Sequence, residues 1–238
     1  MRRFQARCHV GLHIFQYQLS ACQWQRAISR ARFQNMIFRL LATPFVYKII
    51  QGVLAPGRKA LLSSRLRSLP EVLIPAEEIL DIGCGPYSAF SQERPYPVGC
   101  DFSEVHIASY VGKSGLGVVG SADHLPFDSS SFKTVICVGL FHHLDDEVVR
   151  LSISEMLRIC EPGGSVVVVD GVLPKKPWYR PFAFFVRKLD RGRFMRYQQK
   201  LVGLLTDMQV GWKFERMTTT YTGLEAVICR LEIPMGEV

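Results

Sequence analysis

The chain has 238 residues, 48% of them hydrophobic, which suits one α/β domain with an appendage and excludes disorder over most of its length. Its net charge of +8 is uneven: residues 1–70 hold twelve Lys and Arg and no Asp or Glu, and the rest carries 17 cations against 21 acids. Seven cysteines, an odd number with no C-x-x-C pair, point to a reducing compartment and away from structural zinc.

Residues 1–35 are rich in Arg and Gln and free of acids. A transit peptide, a stretch ahead of a true start near Met36, and a basic surface helix all have that composition. The first fifteen residues lack the long apolar run of a secretory signal peptide. Arg39, Pro44, Lys48 and Gln51 break up the most apolar window, 36–54, so no membrane-spanning helix is expected. Residues 36–75 read as N-terminal cap helices: Leu41, Phe45, Val46 and Ile49 recur at helical spacing, Gly57 marks a break, and 58–69 form a second helix.

From residue 76 to 238 strands alternate with helices, which implies a parallel sheet with right-handed crossovers. Strands are predicted at 78–82, 97–102, 117–120, 134–140 and 165–169. Ser103 caps the helix after the second strand, and Asp145 and Asp146 favour the start of another. Val149, Ile153, Met156 and Ile159 line one face of that helix. Pro162-Gly163-Gly164 turns the chain into the fifth strand. An insertion at 175–205 is basic, aromatic and largely helical. Two last strands, 212–221 and 224–231, form a hairpin through Thr222-Gly223 at the sheet edge.

The densest chemical signal is Ile-Leu-Asp-Ile-Gly-Cys-Gly-Pro at 79–86, with Asp101 eighteen positions beyond Gly83. A strand running into a glycine turn, followed by an acidic residue about 20 positions on, suits a cofactor with a ribose. A dinucleotide fingerprint would need a third glycine where Ser88 stands, Pro86 offers no N–H to a phosphate, and no P-loop is present. Asp81 repels a pyrophosphate but suits an ammonium group, which leaves S-adenosylmethionine.

With Gly-Cys-Asp-Phe-Ser at 99–103, Gly-Ser-Ala-Asp-His-Leu-Pro-Phe at 120–127, Phe-His-His-Leu at 141–144 and Glu-Pro-Gly-Gly at 161–164, the chain resembles the class I S-adenosylmethionine-dependent methyltransferases, in particular the small-molecule "type 11" group. The resemblance implies a Rossmann-like, doubly wound, seven-stranded sheet whose last strand is antiparallel, with an N-terminal helical cap. It implies that Asp81, Gly83 and Gly85 line the methionine end of the cofactor; Cys84 lies inside that cofactor-binding loop, and Tyr87, a departure from the family, narrows the turn and could touch the cofactor with its ring. Asp101 would bind the ribose hydroxyls, Phe102 the adenine, and Ser121 and Ala122 the adenine edge, while Gly139, Leu140 and His142 close the site. The family often has glycine at Tyr87 and Asp at Ser121, so the adenine contact weakens or shifts to Asp123.

Methyl transfer is an in-line displacement in which the protein supplies orientation and electrostatics. His142 and His143, where an acceptor would enter, are candidate bases, and either could instead be structural. Asp170 could orient the acceptor or a histidine, or simply end its strand. No metal is expected, since an adjacent His pair lacks the spacing of a helical metal site. The Cys84 thiol reads as packing.

Nine cations and seven aromatics between 175 and 200 suit a membrane surface, an acidic substrate or nucleic acid. The expectation is a methyltransferase acting on a small or lipid-like acceptor in the cytoplasm, with peripheral membrane contact through its basic segments. A nucleic-acid methyltransferase, without a strong motif to support it, and a non-catalytic cofactor-binding protein are the alternatives.

Overall fold

In the computed structural model the described residues are 57–87, 89, 96–114, 116–189, 193–209 and 211–235; the expectations for 1–35 and for most of the cap helices lie outside them. Seven strands form one sheet: β1 (Ile79–Ile82), β2 (Val98–Asp101), β3 (Gly117–Val119), β4 (Phe132–Val138), β5 (Cys160–Val172), β6 (Lys213–Thr218) and β7 (Glu225–Glu232). Their order is β3-β2-β1-β4-β5-β7-β6. The first five are parallel, and β7 runs antiparallel to both neighbours, as expected for the last strand. Among the described residues five α-helices accompany the sheet: α1 (Arg58–Arg67), α2 (Glu104–Ser114), α3 (Asp146–Ile159), α4 (Pro181–Leu189) and α5 (Gln198–Met208).

Local chemistry starts and seats the helices. The Ser103 hydroxyl accepts the His106 N–H at the start of α2, and the Asp145 carboxylate accepts the Val148 N–H at the start of α3. Val149, Ile153, Met156 and Ile159 of α3 are all buried, the face that their spacing predicts. Leu66 of α1 and the following Leu69 pack on Ile79, Ile136, Val167, Val169, Ala226 and Ile228. The described part of the cap therefore seats on a face of the sheet, where each buried leucine contributes about 2 kcal/mol.

Strand β5 is longer at both ends than the sequence indicates. Its pairing with β4 shifts between Phe132 and Thr134, so Glu161–Gly164 are accommodated as an irregularity within the strand and not as a turn before it. At the other end β7 pairs with β5 as far as Val172, which carries the strand past Asp170. Asp170 is thus an interior strand residue, opposite Val227 and 4% exposed.

The insertion is less open than its composition suggests. Arg196 is buried: its Nη1 donates to the Phe141 and Phe194 carbonyls at 2.7 and 3.1 Å, its Nη2 to the Leu144 carbonyl at 2.7 Å, and its Nε to Asp146 at 2.8 Å. Lys200 also pairs with Asp146, and Arg180 with Glu225. These cations hold the insertion to the 141–146 segment and to β7. Arg196→Ala is expected to cost roughly 3 kcal/mol in urea unfolding, because three carbonyls lose a charged donor. Lys200→Ala, an exposed partner of the same aspartate, should cost under about 1 kcal/mol; equal losses would contradict this assignment.

Candidate active site

The predicted site residues converge at the carboxyl ends of β1, β2, β4 and β5, where ligands bind in open α/β sheets. Asp81 is almost completely buried within β1, flanked by Gly99 of β2 and Ile136 of β4. The turn after β1 is tied to β2 three times: the Gly83 and Cys84 N–H groups donate to the Cys100 carbonyl at 2.7 and 3.3 Å, and the Gly85 N–H to Asp101 Oδ2 at 3.0 Å. Gly85 has φ +61°, and a Cβ built there would meet nothing within 4 Å. Glycine thus serves both the left-handed backbone and an open approach to the turn. At Gly83 an added Cβ would instead press on Leu140, at 3.0 Å, so the first turn and the segment after β4 are in contact.

Asp101 is oriented by two backbone donors and a neighbouring imidazole. Besides Gly85, the Ser103 N–H reaches its Oδ1 at 2.9 Å, and His106 Nδ1 lies 3.2 Å from the same oxygen. Sequence reasoning passed over His106, although a histidine in the first turn of the helix that follows Asp101 was available as a signal. Phe102 and Tyr87 are exposed, two aromatic surfaces beside the turn. Past β3, the Ser121 hydroxyl bonds the Asp123 carboxylate, and Ala122 lies between them. This loop is braced by α3: Glu155 accepts the Leu125 N–H at 2.7 Å, and Arg158 donates to the Phe127 and Leu125 carbonyls.

At the end of β4 the Gly139 N–H donates to the Val169 carbonyl, and a 3-10 turn over Phe141–His143 follows. It places the two histidines differently. His142 is buried, with Nδ1 2.5 Å from Asp170 Oδ1, while His143 is exposed and its ring lies against that of His142, tilted by 41° with centroids 4.1 Å apart. Asp170 Oδ1 also receives the Gly171 N–H at 2.8 Å. Burial alone would raise the Asp170 carboxyl; the charge and hydrogen bond of His142, the Gly171 N–H and the Arg187 guanidinium hold it below the ordinary carboxylate value. Asp170 bonded to Nδ1 leaves Nε2 as the nitrogen that could accept a proton.

The five described cysteines are free and buried. Burial pushes Cys100 and Cys160 up to about 12, and raises Cys84, Cys137 and Cys229 strongly as well. The neighbouring Asp81 and Asp101 charges add to the effect at Cys84, so its thiol remains neutral packing within the turn. Among the described residues no three His, Cys, Asp or Glu side chains converge as a metal centre would need.

This strand order, with a glycine turn and two acidic strand ends at one rim, is the fold of the class I S-adenosylmethionine-dependent methyltransferases. Residues 80–168 match the family described as a methyltransferase domain, and this match supports S-adenosylmethionine as cofactor. The chain is 28% identical over 134 residues to a demethylmenaquinone methyltransferase of Corynebacterium glutamicum, a match over 55% of this chain and 57% of that one. With one of the same name from Beutenbergia cavernae it shares 36% over 111 residues, 44% of each chain. The chain thus matches only about half the length of these curated relatives. Among solved structures, an S-adenosylmethionine-dependent methyltransferase from Thermotoga maritima superposes with a TM-score of 0.59 over 77% of this chain and 93% of its own, at 16% identity, a likeness of fold.

The open face of Gly85, the buried Asp81 and the oriented Asp101 fit an adenosine with an ammonium-bearing tail. Asp101→Asn should weaken S-adenosylmethionine binding roughly 10- to 100-fold in calorimetry, by removing a charged acceptor for the ribose hydroxyls. Unchanged affinity would count against that role.

Proposed function

We propose that this chain transfers a methyl group from S-adenosylmethionine to a lipid-like acceptor of the prenylated quinone type, with His142 as the general base. The His142–Asp170 pair carries this reading. Bound S-adenosylmethionine supplies a methyl group on a sulfonium, a good leaving group. Asp81, Gly83 and Gly85 would hold its methionine end, Asp101 the ribose, and Phe102, Ser121, Ala122 and Asp123 the adenine. His142 Nε2 takes the proton released as the acceptor's nucleophilic atom bonds to the methyl carbon and the carbon–sulfur electrons return to sulfur. His143 and Leu140 flank the approach, and His143 shields the outer face of the His142 ring. The acceptor class is supported by the curated relatives' names, and the proton transfer by the buried pair.

The partner surface fits the same acceptor. Trp178 and Tyr179 are each 73% exposed, and Phe182 and Phe185, one helical turn apart on α4, are exposed beside Lys175, Lys176 and Lys188. Aromatic residues rimmed by lysines suit an anionic bilayer surface, where a prenylated acceptor would reside. Among the described residues no helix is long and apolar enough to cross a membrane.

The test is methyl transfer from tritiated S-adenosylmethionine to chemically reduced short-chain demethylmenaquinone. His142→Gln should lower kcat about 100-fold or more while leaving cofactor affinity within about twofold; a parental rate would remove His142 from the chemistry. Separately, flotation with phosphatidylglycerol vesicles should be lost in the double variant Trp178→Ser, Phe185→Ser, and retained flotation would remove this surface from the reading.

A further inference from the structure

We propose that Arg187, on the buried side of α4, is a positioning residue that holds Asp170 as the carboxylate that orients His142, which makes the base competent only while α4 is seated on the sheet. This rests on the reading of the His142–Asp170 pair given above.

Arg187 belongs to the basic insertion by sequence, yet it is 1% exposed and is among the largest fully buried side chains of the molecule. Its guanidinium lies against the backbone of Gly171: a Cβ there would sit 2.6–2.8 Å from Nη1, Cζ and Nη2. Its Nη2 donates to the Glu225 carbonyl of β7 at 2.7 Å, on the strand that pairs with Asp170 and Gly171. A planar cation is thus laid next to the residue whose carboxylate His142 uses, with only a glycine at the point of contact. The charge of Arg187 is among the influences that keep Asp170 ionised against burial.

The groups around Asp170 make that charge consequential. Asp170 is enclosed, and the nearby thiols Cys137 and Cys229 are kept neutral by burial and by Asp170 itself. For Nε2 to accept a proton, the His142–Asp170 pair has to hold a single proton, on Nδ1, and with it a net charge of −1. A buried net charge without a counter-charge is unfavourable. Without Arg187 the pair relieves it by taking a second proton, at Nε2, and that nitrogen can no longer accept one from an acceptor. Because the counter-charge is carried by α4, whose outer face presents Phe182 and Phe185, lifting the helix would remove it from the site.

The experiment compares Arg187→Met, Asp170→Asn and the double variant, using the same tritium assay with reduced short-chain demethylmenaquinone, together with 15N-histidine NMR of the full chain. Arg187→Met is expected to lower kcat roughly 10- to 100-fold, with acceptor KM and S-adenosylmethionine affinity within about twofold. At neutral pH the unprotonated Nε2 signal of His142, assigned by its loss in His142→Gln, should shrink. Arg187→Lys, which keeps the charge, should recover part of both. In the Asp170→Asn background, removing Arg187 should cost nothing further. An equal loss in both backgrounds, or an unchanged Nε2 signal, would make Arg187 mere packing and overturn the proposal. A parental rate for Asp170→Asn alone would overturn the pair reading instead. Slow Asp170→Asn beside parental Arg187→Met would overturn only the Arg187 role. If Arg187→Met does not fold, Gly171→Ala displaces the guanidinium while keeping its charge on the chain. It should reproduce the loss, and a parental rate would be decisive against the proposal.

Discussion

A carboxylate shut away from water has to be compensated by its surroundings, and much of the molecule around the ends of β4 and β5 is arranged around that requirement at Asp170. The long β5–β7 ladder carries the strand beyond the point where an exposed aspartate would have ended it, and so encloses the side chain. Compensation then comes from three directions: the imidazole of His142 after β4, the N–H of Gly171 on the same strand, and the guanidinium of Arg187 from the insertion. The cofactor side handles the same problem differently. Asp101 stands at the sheet rim with two backbone N–H donors and a half-exposed histidine, an arrangement that leaves room for hydroxyl donors from a ligand.

The two halves of the site were not equally legible in the sequence. The half at the ends of β1 and β2 could be read because its determinants are local. A strand, a glycine turn and an acidic strand end lie within a short stretch, and their chemistry does not depend on distant parts of the chain. The parallel sheet followed from the alternation of strands and helices, its seven-stranded form from the family resemblance, and the burial of Val149, Ile153, Met156 and Ile159 from helical spacing. The status of Asp170 was ambiguous for the opposite reason. Whether it ends a strand or lies inside one is decided by β7, about sixty residues later, and no local pattern in Ser165–Val172 records that pairing.

Counting charges does not place the cations of the insertion. Nine cations between 175 and 200 suggest a solvated basic face, but Arg187 and Arg196 lie inside the fold. Arginine's long stem and fixed fork allow its charge to be buried where carbonyls and carboxylates converge, and the partners here come from the 141–146 segment and from β7. Composition cannot show this, because it does not record which carbonyls a fold leaves pointing inward. The aromatics divide the same way: Phe184 is half-buried, while Trp178, Tyr179 and Phe185 face outward.

The contact between Gly171 and Arg187 bears on how freely such domains can exchange parts. Insertions after the fifth strand look like detachable modules, since they leave the sheet and return to it. Here the module's arginine needs a bare backbone position on the sheet, and that position lies in the part a graft would leave behind. A transplanted 175–205 segment would therefore arrive with a cation that fits only where the recipient strand has glycine next to its acidic residue. Chimeras between relatives would have to move residue 171 and the insertion together, as one inherited pair split across the chain.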